Sequence, residues 1–403
     1  MKVAGIVVEY NPFHNGHLYH VQKTKEITGA DAVVAVMSGN FLQRGEFALL
    51  SKWLRTKMAL ENGVDLVIEL PYAYSTQHAE VFASGSVSLL EHIGVDSICF
   101  GSEYGEIDMF KHCLEQMKQN NEDWKIALHN SLNEGNSYAK SLSIASETIS
   151  TLPKEFLSSP NNILGLSYMK ALAHLKSKIE VHTIGRTKAG YHDTKFVDQT
   201  IASATAIRRA LFEKTAELPT IKQYIPESTY EILTQYINKE GHFHQWEDYF
   251  SLLRYEIIRS TPEDLRMIYE VEEGLEYRLK KYIHESSSFK EFMSKIKSKR
   301  YTWTRLQRML LHIATNAKKD IMREASAKRP DFIRPLGFTK KGQEILKNGK
   351  ENWEVPVVYN LQRCDSTIAS LQTRVDQIYT IPFPLENNHE LLKNEQTSAP
   401  IIL

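Results

Sequence analysis

The stretch "VVEYNPFHNGHLYH", residues 7 to 20, places His14, His17 and His20 within seven residues, with Gly16 between the first two. On a helix, positions three apart lie about one turn apart, so His14 and His17 can both donate to the oxygens of one anion. Gly16 permits close backbone approach where a side chain would collide with a nucleotide. Donors so placed would stabilise charge on an α-phosphate under attack. A βα turn at a protein surface can carry histidines in the same way, and the surrounding elements decide between the two readings.

Those elements read as α/β. Residues 2 to 10 form an apolar strand, "NPFHNGH" a loop, and a helix begins near His17 and runs to about Ile27, with Gly29 as its stop signal. Further strands follow in "DAVVAVMS", "VDLVIEL", "DSICFGS" and "KIEVHTIG", with helices from Ser51 to Asn62, near residues 79 to 92, and over "NNILGLSYMKAL". Near-continuous apolar strands alternating with helices predict a parallel sheet covered on both faces. The histidines then sit at the carboxyl end of the first strand, where open α/β folds bind ligands and a helix amino terminus attracts phosphate.

The 403 residues suffice for two domains, and the composition changes near residue 215. Residues 1–215 are expected to form the α/β unit, with a polar helical insertion or cap over 106 to 149. Residues 216–403 are expected to be mainly helical, opening with the connector "ELPTIKQYIP" and ending in a frayed tail over the last dozen residues. Lys plus Arg and Asp plus Glu each total 49, so net charge nominates no partner. Cys99, Cys113 and Cys364 are too scattered for a disulfide framework or a zinc site. The chain opens directly on an apolar strand without signal-peptide character, and no apolar run approaches the roughly 20 residues of a membrane span. A cytoplasmic protein without membrane or DNA partners is expected.

A second constellation lies about 190 residues downstream, in "SATAIRRAL" at 203 to 211. Ser203 is a good N-cap, the hydroxyls of Ser203 and Thr205 can bond a phosphate, and Arg208 lies one turn into the helix to meet β- and γ-phosphates. An ordinary capped helix is the alternative. The two stretches together resemble the HxGH nucleotidyltransferase superfamily, whose second signature is a Ser/Thr-rich turn ending in Arg; Ala204 departs from it where Ser or Thr is common. The resemblance implies a Rossmann-like nucleotidyltransferase domain.

It extends further. "GIVVEYNPFHNGHL", "SGNFLQRGEFALLSKWLR", "DLVIELP", "FGSE", "SPNNILGLSYMKAL", "GRTKAGYHD" and "SKRYTWTRLQRMLL" are similar to the bacterial tRNA(Met) cytidine acetate ligase family. That resemblance implies that ATP and acetate give acetyl-adenylate and pyrophosphate, and that the acetyl group passes to N4 of the wobble cytidine of elongator tRNA(Met). It implies an ATP loop comprising Val7, Val8, Glu9, Tyr10, Asn11, Pro12, Phe13, His14, Asn15, Gly16, His17, Leu18, Tyr19 and His20. It adds Gly101, Asn162 and Arg186 as ATP contacts. In physical terms, Gly101 at a strand end can let adenine or ribose pack on backbone, Asn162 can make paired amide bonds, and Arg186 can neutralise phosphate.

Arg44, Lys52 and Arg55 surround a second βα connection. Cations at a helix amino terminus oppose the dipole, which favours an anion partner over a purely structural role. Residues 294 to 308, "SKIKSKRYTWTRLQR", carry Lys295, Lys297, Lys299, Arg300, Arg305 and Arg308 with no acidic residue, interleaved with Tyr301 and Trp303. Such a stretch can grip tRNA phosphates while a ring stacks on an unpaired base. "FMSKIKS" lacks the first lysine of the KMSKS signature, Phe292 standing in its place. Mg²⁺ with ATP is chemically reasonable, but no carboxylate cluster nominates metal ligands. A small-metabolite adenylyltransferase shares both motifs and leaves the basic helical half unexplained. A nonenzymatic RNA-binding protein is argued against by intact His14, Gly16, His17 and Arg208.

Overall fold

A computed structural model describes residues 1–119, 121–134, 140–141, 144–145, 156–185, 201–212, 218–350, 352–383, 392–393, 395 and 398–403. Its centre is a sheet of seven strands among the described residues. Five run parallel: β1 (Val3–Val8), β2 (Ala32–Ser38), β3 (Leu66–Leu70), β4 (Ser97–Ser102) and β5 (Glu180–Gly185). Two more extend the β3 edge, β6 (Pro335–Phe338) antiparallel to β3 and β7 (Ile401–Ile402) parallel to β6. The spatial order is β5-β4-β1-β2-β3-β6-β7.

The parallel strands are apolar on both sides because both sides are covered. Val34, Val36, Ile68 and Ile98 join one apolar cluster, while Val33, Ala35, Met37 and Val67 join the other. Helix α1 (Asn15–Thr28) follows β1 and closes at Gly29, whose φ of 63° is the left-handed geometry glycine tolerates. It starts two residues before His17 because His14 caps it. Helix α2 (Lys52–Glu61) follows β2, capped by Ser51.

Beyond residue 218 the described chain is mainly helical, as composition suggests, yet it is not set apart from the sheet. The first apolar cluster runs without a break from Val34 and Ile68 through Leu253, Leu310 and Val375. Strands β6 and β7 come from beyond residue 215, which therefore marks a change of composition and not of sheet. The expected frayed tail is corrected: Ile401 and Ile402 pair with Gly337 and Phe338. Four residues including Pro335 and Gly337, and then two, carry no strand periodicity; the exposed edge of β3 specifies them.

Candidate active site

The carboxyl ends of β1, β4 and β5 open into a cavity of about 650 Å³. That is within the size range of small-molecule sites. Its floor is the first βα turn. Tyr10 takes a left-handed φ of 51°, a conformation that bulky residues adopt only under tertiary constraint. His14 is the N-cap of α1, its Nδ1 accepting from the Gly16 N–H at 3.0 Å, and the His14 N–H donates to Nδ1 of His17 at 3.3 Å. Each neutral ring therefore carries its proton on Nε2, so both are oriented as Nε2–H donors. The two rings stack with centroids 3.7 Å apart, and Tyr10 and Phe13 close on His17 at 4.9 and 5.6 Å. A Cβ on Gly16 would lie 2.9 Å from Cε1 of His14, so this close packing requires glycine.

The opposite wall is the helix Ala204–Phe212. Ser203 Oγ accepts from the Ala206 N–H at 3.1 Å, the N-cap its sequence suggests. Arg208 donates to the Asn11 carbonyl and to Glu46 Oε2, both at 3.0 Å, tying this wall to the floor and to the loop after β2. Its guanidinium has further N–H groups to offer an anion. Glu9 accepts from the Gln43 N–H at 2.7 Å. Burial pushes its carboxyl above the ordinary range, the Gln43 bond pulls it back, and nearby Glu46 raises it again. Asn11 Nδ2 and Tyr10 Oη are buried in this lining without a hydrogen-bond partner among the described residues. Such orphaned donors fit a polar ligand and are costly without one.

Of the residues nominated by sequence, the cavity gathers Val7, Val8, Glu9, Tyr10, Asn11, His14, Gly16, His17, Tyr19, His20, Arg44, Gly101, Ser203, Thr205, Arg208 and Trp303. Pro12, Phe13, Asn15 and Leu18 shape the turn from outside the lining. Asn162 is buried with its amide spent on the protein: it accepts from the Glu103 and Tyr104 N–H groups and donates to the Phe156 carbonyl. Its neighbour Asn161 faces the cavity. Arg186 lies outside the described residues.

Lys52 and Arg55 are corrected. Both are fully buried. Lys52 meets Glu69 at 2.8 Å, Asp376 and Glu395, while Arg334 reaches Glu69 at 2.7 Å. Burial and Arg334 push the Lys52 ammonium down, but Asp376, Glu69 and Glu395 outweigh them and hold it above its ordinary value. Burial lifts Glu395 to about 7. Arg55, lowered to about 10 by burial, donates to the carbonyls of Glu9, Ser38, Gly39 and Leu50. The anions these cations were expected to seek are the protein's own carboxylates and backbone carbonyls.

The basic stretch is also partly corrected. Tyr301 is buried, its hydroxyl on Glu273, and so is not available to stack on a base. Arg308 is buried and paired with Glu270 at 3.0 Å. Arg305 pairs with Glu272, Arg300 with Glu273 and Lys295 with Glu291, whereas Lys297 and Lys299 are exposed. Trp303 keeps its exposure, at 39%, and lines the cavity with Thr304 and Gln307.

Sequence reasoning passed over Glu46, Gln43 and Gly45. Gly45, at φ 75°, packs so tightly that a Cβ would sit 2.3 Å from the Arg308 backbone nitrogen, and its carbonyl accepts from Trp246 Nε1 at 2.9 Å. This packing seats the loop carrying Arg44 and Glu46 against the Trp303–Ala314 helix. The glycine of "QRGEF" was the available signal.

The chain matches the HIGH Nucleotidyl Transferase family over residues 1–395. It is 45% identical to a tRNA(Met) cytidine acetate ligase of Geobacillus sp. over 403 residues, covering both chains in full, and 43% identical to one of Lysinibacillus sphaericus over the full length of both. Crystal structures of Thermotoga maritima TmcAL, apo and bound with alpha-thio ATP, align with TM-scores of 0.92 and 0.90 at 32% identity, covering both chains completely. With the paired histidines, the capped Arg208 helix and the sheet in place, the chain belongs to the HIGH nucleotidyltransferase family and within it to the tRNA(Met) cytidine acetate ligases.

Proposed function

We propose that this protein uses ATP to activate acetate and transfers the acetyl group to N4 of the wobble cytidine of elongator tRNA(Met), in the cytoplasm. An acetate oxygen attacks the α-phosphorus, the bond to the β-phosphate oxygen breaks, and pyrophosphate leaves acetyl-adenylate behind. The cytidine amine then attacks the acetyl carbonyl, AMP departs and the amine loses a proton. The observation that carries the reading is the convergence of His14, His17 and Arg208 on one cavity, in a chain similar to acetate ligases along its whole length.

In this reading His14 and His17 donate from Nε2 to α-phosphate oxygens as charge builds there. The α1 amino terminus adds its dipole, and Arg208 holds the β- and γ-phosphates that leave. Gly101, at the end of β4, gives adenosine a backbone surface to pack on, and Arg186 adds a phosphate contact. Glu9, whose carboxyl is raised by burial, lies in the same lining as a proton acceptor for the amine. Mg²⁺ would come with ATP, since it is ordinarily held by one or two carboxylates plus substrate phosphates, and it would neutralise charge on the leaving pyrophosphate. Glu46 is the lining carboxylate that would remain to hold it beside the phosphates, Glu9 being assigned to the amine proton. Lys297, Lys299, Arg300 and Arg305 bring tRNA phosphates towards the mouth.

Purified protein, ATP, radiolabelled acetate and elongator tRNA(Met), followed by digestion of the RNA to nucleosides, should give labelled N4-acetylcytidine. Labelled adenylate with no transfer to RNA would favour a small-metabolite adenylyltransferase.

A further inference from the structure

The first turns of the Trp303–Ala314 helix contribute Trp303, Thr304 and Gln307 to the cavity lining. Of the five tryptophans in the chain, Trp303 is the exposed one, at 39%, and it lies on the cavity. Gln307, four positions on and so on the same helix face, also lines it. Only 7% of Gln307 is exposed. Its carboxamide is not among the buried atoms left without a partner, so it is open to the cavity that it lines. A polar side chain largely buried yet open to a cavity, beside an exposed indole, is arranged for a flat ligand with a hydrogen-bonding edge.

We propose that Trp303 and Gln307 form the acceptor-base subsite: the cytosine, swung out of its loop, stacks on the Trp303 indole, and the Gln307 amide donates to its O2 or N3. This deepens the function proposed above and rests on it. A base turned away from its neighbours needs a replacement for the stacking it gives up, and an aromatic platform supplies it. Tyr301, the other ring of the stretch, is turned inward onto Glu273 and cannot serve. Donation to O2 or N3 leaves the N4 amine free to attack. The close packing of Gly45 on Arg308 keeps this wall in register with Glu46 and, through it, Arg208.

The test separates the two half-reactions. Trp303→Ala should lower kcat/KM for tRNA acetylation about 10- to 100-fold, the range expected for removing one base stack, with acetate-dependent ATP–pyrophosphate exchange within about two-fold of wild type. Trp303→Phe should recover most of the activity, and Gln307→Leu should show the same split with a smaller effect. A tRNA(Met) transcript with an abasic wobble position supplies the readout that a structural defect would not move. Wild type should bind it more weakly than intact tRNA, and Trp303→Ala should bind both equally. Normal acetylation by Trp303→Ala, a parallel fall in exchange, or an undiminished abasic penalty in the variant would each overturn the subsite. Wild-type protein without exchange or acetylation would instead overturn the function on which it rests.

Discussion

Two groups of cations stand beside the same sheet, and they differ in what neutralises them. Arg208 sits on a cavity wall with His14 and His17, sharing its guanidinium between one carbonyl and one carboxylate while keeping further donors. Lys52 is sealed among Glu69, Asp376 and Glu395, with Arg334 beside them. In sequence both look like basic residues beside a βα turn. In the proposed function the cavity group meets a transient anion, whereas the sealed group has its anions built in and fastens β3, β6 and the helix Thr367–Thr380 together. The stretch from 294 to 308 lies between these extremes, since Arg300 and Arg305 are paired yet still partly exposed.

The comparison is most sharply tested at Lys52. Lys52→Met leaves buried carboxylates uncompensated and should cost about 3–5 kcal/mol of stability, the usual penalty for breaking a buried pair. Denaturant unfolding measures it, and the folded fraction should keep near-normal ATP–pyrophosphate exchange. Loss of exchange without loss of stability would place Lys52 with the chemistry and erase the distinction.

His17→Ala is the converse. Removing one transition-state donor should reduce exchange roughly 10²- to 10³-fold while ATP affinity changes little. Its unfolding midpoint should stay close to wild type. A variant with normal adenylate formation would take His17 out of the mechanism.

Arg208→Ala should weaken ATP by about 1.5–3 kcal/mol, as expected for a hydrogen bond to a charged group, and AMP by much less. Calorimetric titration with both nucleotides decides it. Equal losses would mean that Arg208 acts through its bonds to Asn11 and Glu46, which would bring it closer to Lys52 than to His17.

The smallest effect is expected in the intermediate group. Arg300→Ala with Arg305→Ala should flatten the dependence of log tRNA affinity on log salt by about 0.7 to 0.9 for each phosphate that is no longer neutralised. An unchanged slope would show that Glu272 and Glu273 keep these arginines occupied even with tRNA present, making them structural like Lys52.

The local parts of the protein were legible in sequence. The parallel strands, the helices after β1 and β2, the Ser203 cap and the histidine turn all depend on residues within about one turn or one strand of each other. Apolar runs, caps and a glycine encode such features directly. The sequence by itself therefore determined that a histidine-bearing turn stands at the end of the first strand, and which residues form it. Tertiary structure decided which charges remain available. The stretch from 294 to 308 contains no acid, yet Glu270, Glu272 and Glu273 meet three of its arginines; Lys52 is buried by partners as far away as Asp376 and Glu395. It also decided that β6 and β7 complete the sheet and that Trp303 and Gln307 come to line the cavity. Charge pairing and edge-strand recruitment act between segments far apart in the chain, and no local periodicity records them.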